Sequence, residues 1–334
     1  MPEPLKLSVG YQLPDRYSLV DVVATYRDAV AEVYFPWYGV PDGRGVSVRF
    51  EADQKQMEYE LDQLAAMGVR LHLLLNANCY GARALSRSFR DVLESMLQHL
   101  VERWDLAGVT TTSLFVARLC KQKFPQLEVR ASINMEIGSP EAMRYVSDYF
   151  DAFYVARALN RDPEAIRALR VPGKKLYLLA NSGCLRNCSA HIFHDNLVAH
   201  EAETSQLENC WHFRGICWEY YAKPENRDRI LADSTWVRPE EIDNYTDLVD
   251  GIKLASRTNP FFGTIIKAYA ERSFDGNPLN LCEPDLSAFI TLENRRFPQG
   301  WHAIARDPGS PAYRDLLAAV RLPKPDQPSP RPFF

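Results

Sequence analysis

Between Cys184 and Cys217 the chain concentrates four of its seven cysteines and four of its seven histidines, in 34 of 334 residues. Thiolates and imidazoles gathered in this way are the ligand set of a transition metal. In NSGCLRNCSAHIFHDN, Cys184 and Cys188 stand four apart, and His191 and His194 follow at three-residue steps. Those four supply the nitrogen and sulfur donors that a tetrahedral zinc ion takes, although the C-x2-C spacing of zinc knuckles and ribbons is absent. An iron-sulfur cluster asks instead for several soft thiolates, one per corner iron, and accepts them from separate loops. Cys210 and Cys217, seven apart in NCWHFRGIC, lie in the same segment, and Cys79 closes a strand pointing to the same face. Such crowding favours coordination over attack by a single cysteine nucleophile beside a histidine. Cys120, in the apolar run of a helix, and Cys282, after NPLNL near the surface, read as small buried hydrophobes.

Composition narrows the classes. With 46% apolar and 25% charged residues the chain reads as a globular protein. Lys and Arg number 39 against 43 Asp and Glu, and a net charge of -4 gives no basic field for holding nucleic acid non-specifically, though a local RNA groove remains open. The odd cysteine count and the absence of a secretory pattern in MPEPLKLSVG argue against a disulfide framework. No stretch approaches the ~18 apolar residues that span a bilayer. The expectation is a cytoplasmic protein with no membrane span. G-x-G-x-x-G after a strand, G-x-x-x-x-G-K-[ST], H-E-x-x-H and G-x-S-x-G are all missing, so the usual dinucleotide, triphosphate, zincin and serine-hydrolase readings lose support.

The elements that must position these residues show in the hydrophobic period. Eight short apolar runs begin at Leu5, Ala31, Arg70, Ala107, Glu128, Ala152, Lys174 and Gly251, separated by helical patterns. That alternation predicts parallel strands joined by crossover helices, and eight units predict a closed (β/α)8 barrel of the TIM type. The clearest helix carries Phe89, Val92, Leu93, Met96, Leu97, Leu100, Val101 and Trp104 on one face, and another carries Met57, Leu61, Leu64 and Ala65 before a stop at Gly68. A last helix, with Phe261, Ile265, Ile266, Tyr269, Ala270 and Phe274, is expected to run to Asp275-Gly276. The organisation is one barrel domain over 1–321 with a long Cys/His-rich insertion after strand 7, about 182–237, and a proline-rich tail over 322–334. The insertion, far longer than the ~2–6 residues of an ordinary strand-to-helix loop, is the functional segment.

Reactive groups of such a barrel sit where strands end. Here the ends are polar: Asn76, Asn78 and Cys79; Thr111 to Ser113; Asn134 and Glu136; Arg157, Asn160 and Arg161; Asn181 and Ser182; Ser256 to Thr258. Together they describe a polar mouth.

The blocks LLLNANCYG, VRASINMEI, NRD at Asn160, LLANSGCLRNCSAHIFHDN, WVRPEEIDNYTDLVDGIKLASRT and KAYAERSFDGNPLNL, in order from about Leu71 to Leu281, resemble peptidase family U-32, the collagenase-like peptidases. They are most similar to the branch reading NEGCL..CP..FH after the seventh strand. The resemblance implies a barrel holding an oxygen-sensitive [4Fe-4S] cluster on four cysteines. It also implies oxygen-independent hydroxylation of a ubiquinone precursor or an RNA base, with prephenate as oxygen donor for the RNA enzymes and a related partner subunit in some members. Carried onto this chain, the ligands are Cys184, Cys188 and Cys217, with Cys79 as fourth and Cys210 as its competitor. The chain departs from the family in lacking G-x-x-C-x4-G-x-C, and it has Asn181-Ser182 where the branch has Asn-Glu.

A carboxylate-bearing donor needs cations, which Arg157, Arg238, Lys253 and Arg257 supply at or just after barrel strands, with Asn134 as a polar neighbour. His194 and Glu136 are candidates for proton transfer, and Arg157 joins them as a catalytic candidate. The expected activity is an iron-sulfur-dependent oxidoreductase or hydroxylase acting on a small molecule or RNA base. The alternatives are a thiol- or zinc-dependent peptidase and a non-catalytic cluster-binding subunit.

Overall fold

A computed structural model describes residues 3–14, 17–44 and 48–323. Eight parallel strands close into one barrel in chain order: β1 (Leu7–Gly10), β2 (Val30–Phe35), β3 (Arg70–Leu75), β4 (Gly108–Thr111), β5 (Glu128–Ala131), β6 (Ala152–Tyr154), β7 (Lys175–Leu179) and β8 (Gly251–Lys253). The ring shuts where Leu7 and Ser8 of β1 register with Ile252 and Lys253 of β8. The (β/α)8 barrel read from the sequence is therefore borne out; seven runs contain their strand and β2 begins one residue before its run.

Six crossover helices cover the outside of the first seven strands: α1 (Leu19–Thr25), α2 (Glu51–Ala66), α3 (Arg87–Trp104), α4 (Leu114–Lys123), α5 (Pro140–Tyr145) and α6 (Pro163–Ala168). Their starts are written locally. The Ser86 and Ser113 hydroxyls accept from the Phe89 and Val116 amides, and Ser139-Pro140 and Asp162-Pro163 pair a side-chain cap with a proline whose missing N–H costs nothing in the first turn. Along α3, Phe89, Leu93, Met96, Leu97, Leu100 and Trp104 are buried, each worth ~1.5–3 kcal/mol. Val92, one step off that stripe, is 53% exposed. Gly68 ends α2 with φ +73°, as its position suggested.

The insertion is itself helical: α7 (His191–Ala199), α8 (Glu201–Thr204), α9 (Ile216–Ala222), α10 (Pro224–Arg227) and α11 (Ile230–Asp233) precede a 3-10 segment, Pro239–Tyr245. After β8, α12 (Phe262–Ala270) buries Phe262, Ile265, Ile266 and Tyr269, while Phe261 is exposed at its start. This helix stops at Ala270 rather than at Asp275, because Arg272 turns to φ +54° and its guanidinium is held by the Leu5 carbonyl and Asp243.

Two further helices, α13 (Trp301–Ala305) and α14 (Pro311–Val320), belong to a second apolar core. There Cys217, Tyr221, Ile230 and Leu231 of the insertion pack with Trp301, Tyr313 and Leu316. The insertion is thus clamped between barrel and C-terminal segment. The last eleven residues of the proline-rich tail lie outside the described residues.

Candidate active site at the barrel mouth

The barrel floor is ionic. Arg130 forks onto both Glu32 oxygens at 2.7 Å and reaches Glu128 at 2.5 Å; Ser8 donates to Glu32 at 2.7 Å, and the Arg130 guanidinium lies 4.0 Å from the Tyr177 ring centre. Burial pushes the Glu128 carboxyl up, but Arg130 and Lys175 hold it at about 2. Burial keeps the His72 imidazole neutral, its pKa pushed down to about 3, and its Nε2 bonds to the Thr110 hydroxyl at 2.8 Å.

Above this floor opens a cavity of about 950 Å³. Its strand-end wall carries cations and no acids: Arg157 after β6, Lys253 on β8 and Arg257 after β8, with Arg44 from the segment after β2. Acids come from the covering segments, Asp195 on α7, Glu201 on α8, and Glu283 and Asp285 after α12. Arg257 contacts both oxygens of fully buried Asp42 at 3.0 Å and packs across Gly10, where a Cβ would lie 2.4 Å from its Cγ. Arg157 is fixed by Glu136 and by Asn134, whose Oδ1 accepts at 2.9 Å. Its Nε is buried without a partner. Burial opposes the charge on Arg157, but Cys184, Glu136 and Asp195 outweigh it and keep the guanidinium protonated. Arg44 pairs with Glu283.

The thiols divide into two groups. Cys184 lines the cavity. Burial first, and then the charges of Cys184 and Cys188, push the Cys217 thiol up to about 12. His194 joins them: a Cβ on Gly215 would stand 3.2 Å from its ring and 3.4 Å from Cys217 Sγ. Burial lowers the His194 imidazole and raises the neighbouring Asp195 carboxyl, whose Oδ2 is buried without a partner. Cys282 also lines the cavity, beside Gly183, and the charge of Cys184 acts on it.

Cys79 stands apart from the cavity lining, with His200 beside it; that ring, with the Gly81 amide, lowers the thiol, and His200 Nδ1 meets Glu203 at 2.7 Å. Cys210 is exposed. Arg238 is also outside the cavity lining, bound through Nε to Asn294 at 2.8 Å and stacked on Phe297. The structure thus gathers His194, Arg157, Lys253, Arg257, Asn134 and Cys184 on one cavity, with Glu136 held to Arg157 and Cys217 close to His194 at Gly215. His191 is not among the cavity lining, and its Nδ1 lies 3.1 Å from the Cys188 carbonyl. Sequence reasoning missed Arg44, Asp195 and Cys282 as cavity residues. Cys282 follows directly on the last block of the resemblance, which ends at Leu281.

A curated protein, the uncharacterized protease MJ1657 of Methanocaldococcus jannaschii, is 25% identical over 279 residues, 79% of this chain and 80% of its own. The solved structure of the U32 peptidase Mk0906 superposes with a TM-score of 0.55 and 17% identity, covering 76% of this chain and 93% of that one. The expected resemblance to the U32 peptidases is borne out, in sequence by a protease relative and in fold by a U32 peptidase. No family model matches the chain. A glycerophosphodiester phosphodiesterase from Parabacteroides distasonis overlaps more loosely, with a TM-score of 0.40 and 12% identity over 80% of this chain and all of that one. In this U32-like chain no helix among the described residues is long and apolar enough to cross a membrane.

Proposed function

We propose that this U32-like barrel is an iron-sulfur-dependent enzyme that carries out oxygen-independent hydroxylation or a related redox reaction on a small carboxylate-bearing molecule. The observation that carries the reading is that Cys184 and Cys282 line one mouth cavity, with Cys217 near His194 at Gly215, where the strand ends carry cations and no acids. Among the described residues no three His, Cys, Asp or Glu side chains form a group set to hold a metal ion, so the reading rests on the donor set, which is rich in soft thiols. A cluster takes one thiolate per iron and accepts them from separate segments, such as those of Cys184, Cys217 and Cys282. Cys282, sharing the cavity wall with Cys184, is the best placed fourth ligand; Cys79 is engaged by His200, and Cys210 is exposed. When bound, such a cluster supplies electron exchange with an oxygen donor.

The chain's own residues do the rest. Arg157 and Arg257 hold a carboxylate, each already oriented by a partner that stiffens its fork. His194, kept neutral by burial, accepts a proton at the cavity wall, and Asp195, whose carboxyl burial keeps protonated to higher pH, donates one. An anaerobic cysteine panel tests the reading. Cys184→Ala, Cys188→Ala, Cys217→Ala and Cys282→Ala should lose bound iron and visible absorption, while Cys79→Ala and Cys210→Ala should keep both; equal iron throughout contradicts it.

A second reading has its own observation. Cys79, with its thiol lowered by His200 and His200 braced by Glu203, has the makings of a thiol hydrolase, in keeping with the protease name of the relative. Peptide turnover by metal-free, air-exposed protein that disappears in Cys79→Ala would favour it.

A further inference from the structure

Lys253 is the last residue of β8, buried, and lines the strand-end wall of the mouth cavity. Its Nζ sits between two aromatic faces, 4.2 Å from the Tyr34 ring centre and 4.9 Å from that of Tyr154. Among the described residues no carboxylate pairs with it. The charged groups that act on it are the guanidiniums of Arg257, Arg130 and Arg157, opposed by Glu32, which is already forked by Arg130. A structural lysine in a barrel interior pairs with an acid; this one is held among cations and rings, facing open space. An amine so desolvated and crowded by positive charge is a nucleophile rather than a fixed cation.

We propose that Lys253 is a catalytic residue that forms an imine with a small 2-oxo acid in the mouth cavity. The carboxylate of the substrate is taken by Arg157 and Arg257 on the same wall, which presents the 2-oxo carbon to Nζ. The Nζ lone pair attacks that carbon, and the carbonyl π pair moves to oxygen, giving a carbinolamine. Both amine protons then leave with that oxygen as water, and a C=N bond remains. Nothing is oxidised or reduced. Burial, then Arg257 and Arg130, pull the Lys253 ammonium down to about 7, so a large share is free amine at neutral pH. An ordinary lysine near 10.4 is deprotonated there to less than about 0.1%.

This inference rests on the proposed reading only for the carboxylate-holding cations, and the test separates the two. Native protein is incubated with pyruvate and sodium cyanoborohydride at pH 7, the reduced adducts are mapped by peptide mass spectrometry, and the iron content of the same sample is measured. Lys253 should be reduced to its pyruvate adduct at least ~10-fold faster than exposed Lys55, given the difference in free amine. In Lys253→Arg the fast adduct should vanish. Labelling of Lys253 no faster than Lys55 overturns the inference whether or not iron is present, whereas fast labelling of iron-free protein leaves it standing and counts against the cluster.

Discussion

At the scale of single residues, the chain spends its buried charges in the barrel interior. Glu32 and Arg130 are about 5% and 1% exposed at their side chains, and each satisfies the other with two bonds. Removing one partner of such a pair leaves an unpaired buried charge, which costs about 3–5 kcal/mol. Glu32→Ala should therefore lower the melting temperature steeply by circular dichroism, and a shift within error of wild type would contradict the ion-pair account. Conversely, Arg238→Ala should leave ligand binding in the cavity unchanged, because this side chain contacts Asn294 and Phe297 outside the cavity lining. Isothermal titration with pyruvate checks that. Glu32, His72 and Arg130 were visible in the sequence inside otherwise apolar runs. Their inward direction was not, because in a strand alternate residues face opposite sides and only the closed register says which side is the interior.

At the scale of elements, strands and caps were legible because their signals are local: apolar runs, Ser or Asp before a helix, Gly68 after one. The second core was not, since it joins residues near 217–236 to residues near 279–320 and no periodicity spans that gap. The same holds for Cys217. Its burial and its approach to His194 depend on Gly215, whose φ of +115° suits glycine and whose absent Cβ leaves room for both side chains. Gly215→Ala should cost about 1–3 kcal/mol through backbone strain and reduce anaerobic iron retention below wild type. A variant with wild-type melting and iron would show that the entry to α9 does not position the thiol.

At the scale of the molecule, the network of buried acids ties stability to pH. Glu32 and Glu128 are held at about 2 against an ordinary 4.5, so their stabilisation is complete above 4.5 and drains as the pH falls toward 2. For Glu32 the difference corresponds to about 3 kcal/mol. His72, kept neutral to about 3 instead of 6.5, adds to the loss because the unfolded chain takes up its proton first. Urea unfolding should show a falling midpoint from pH 6 to pH 3, and a flat profile over that window would contradict the network. Solvent-exposed pairs such as Lys55 with Glu51 contribute little to this trend.

Cys184 of the insertion and Cys282 of the segment after β8 line the mouth cavity of the barrel. The most direct test of their role is iron and acid-labile sulfide analysis of anaerobically purified protein, read together with electron paramagnetic resonance after reduction. About four irons and four sulfides per chain with a reduced-cluster signal is the expected result; colourless protein with neither element and no signal would contradict the account.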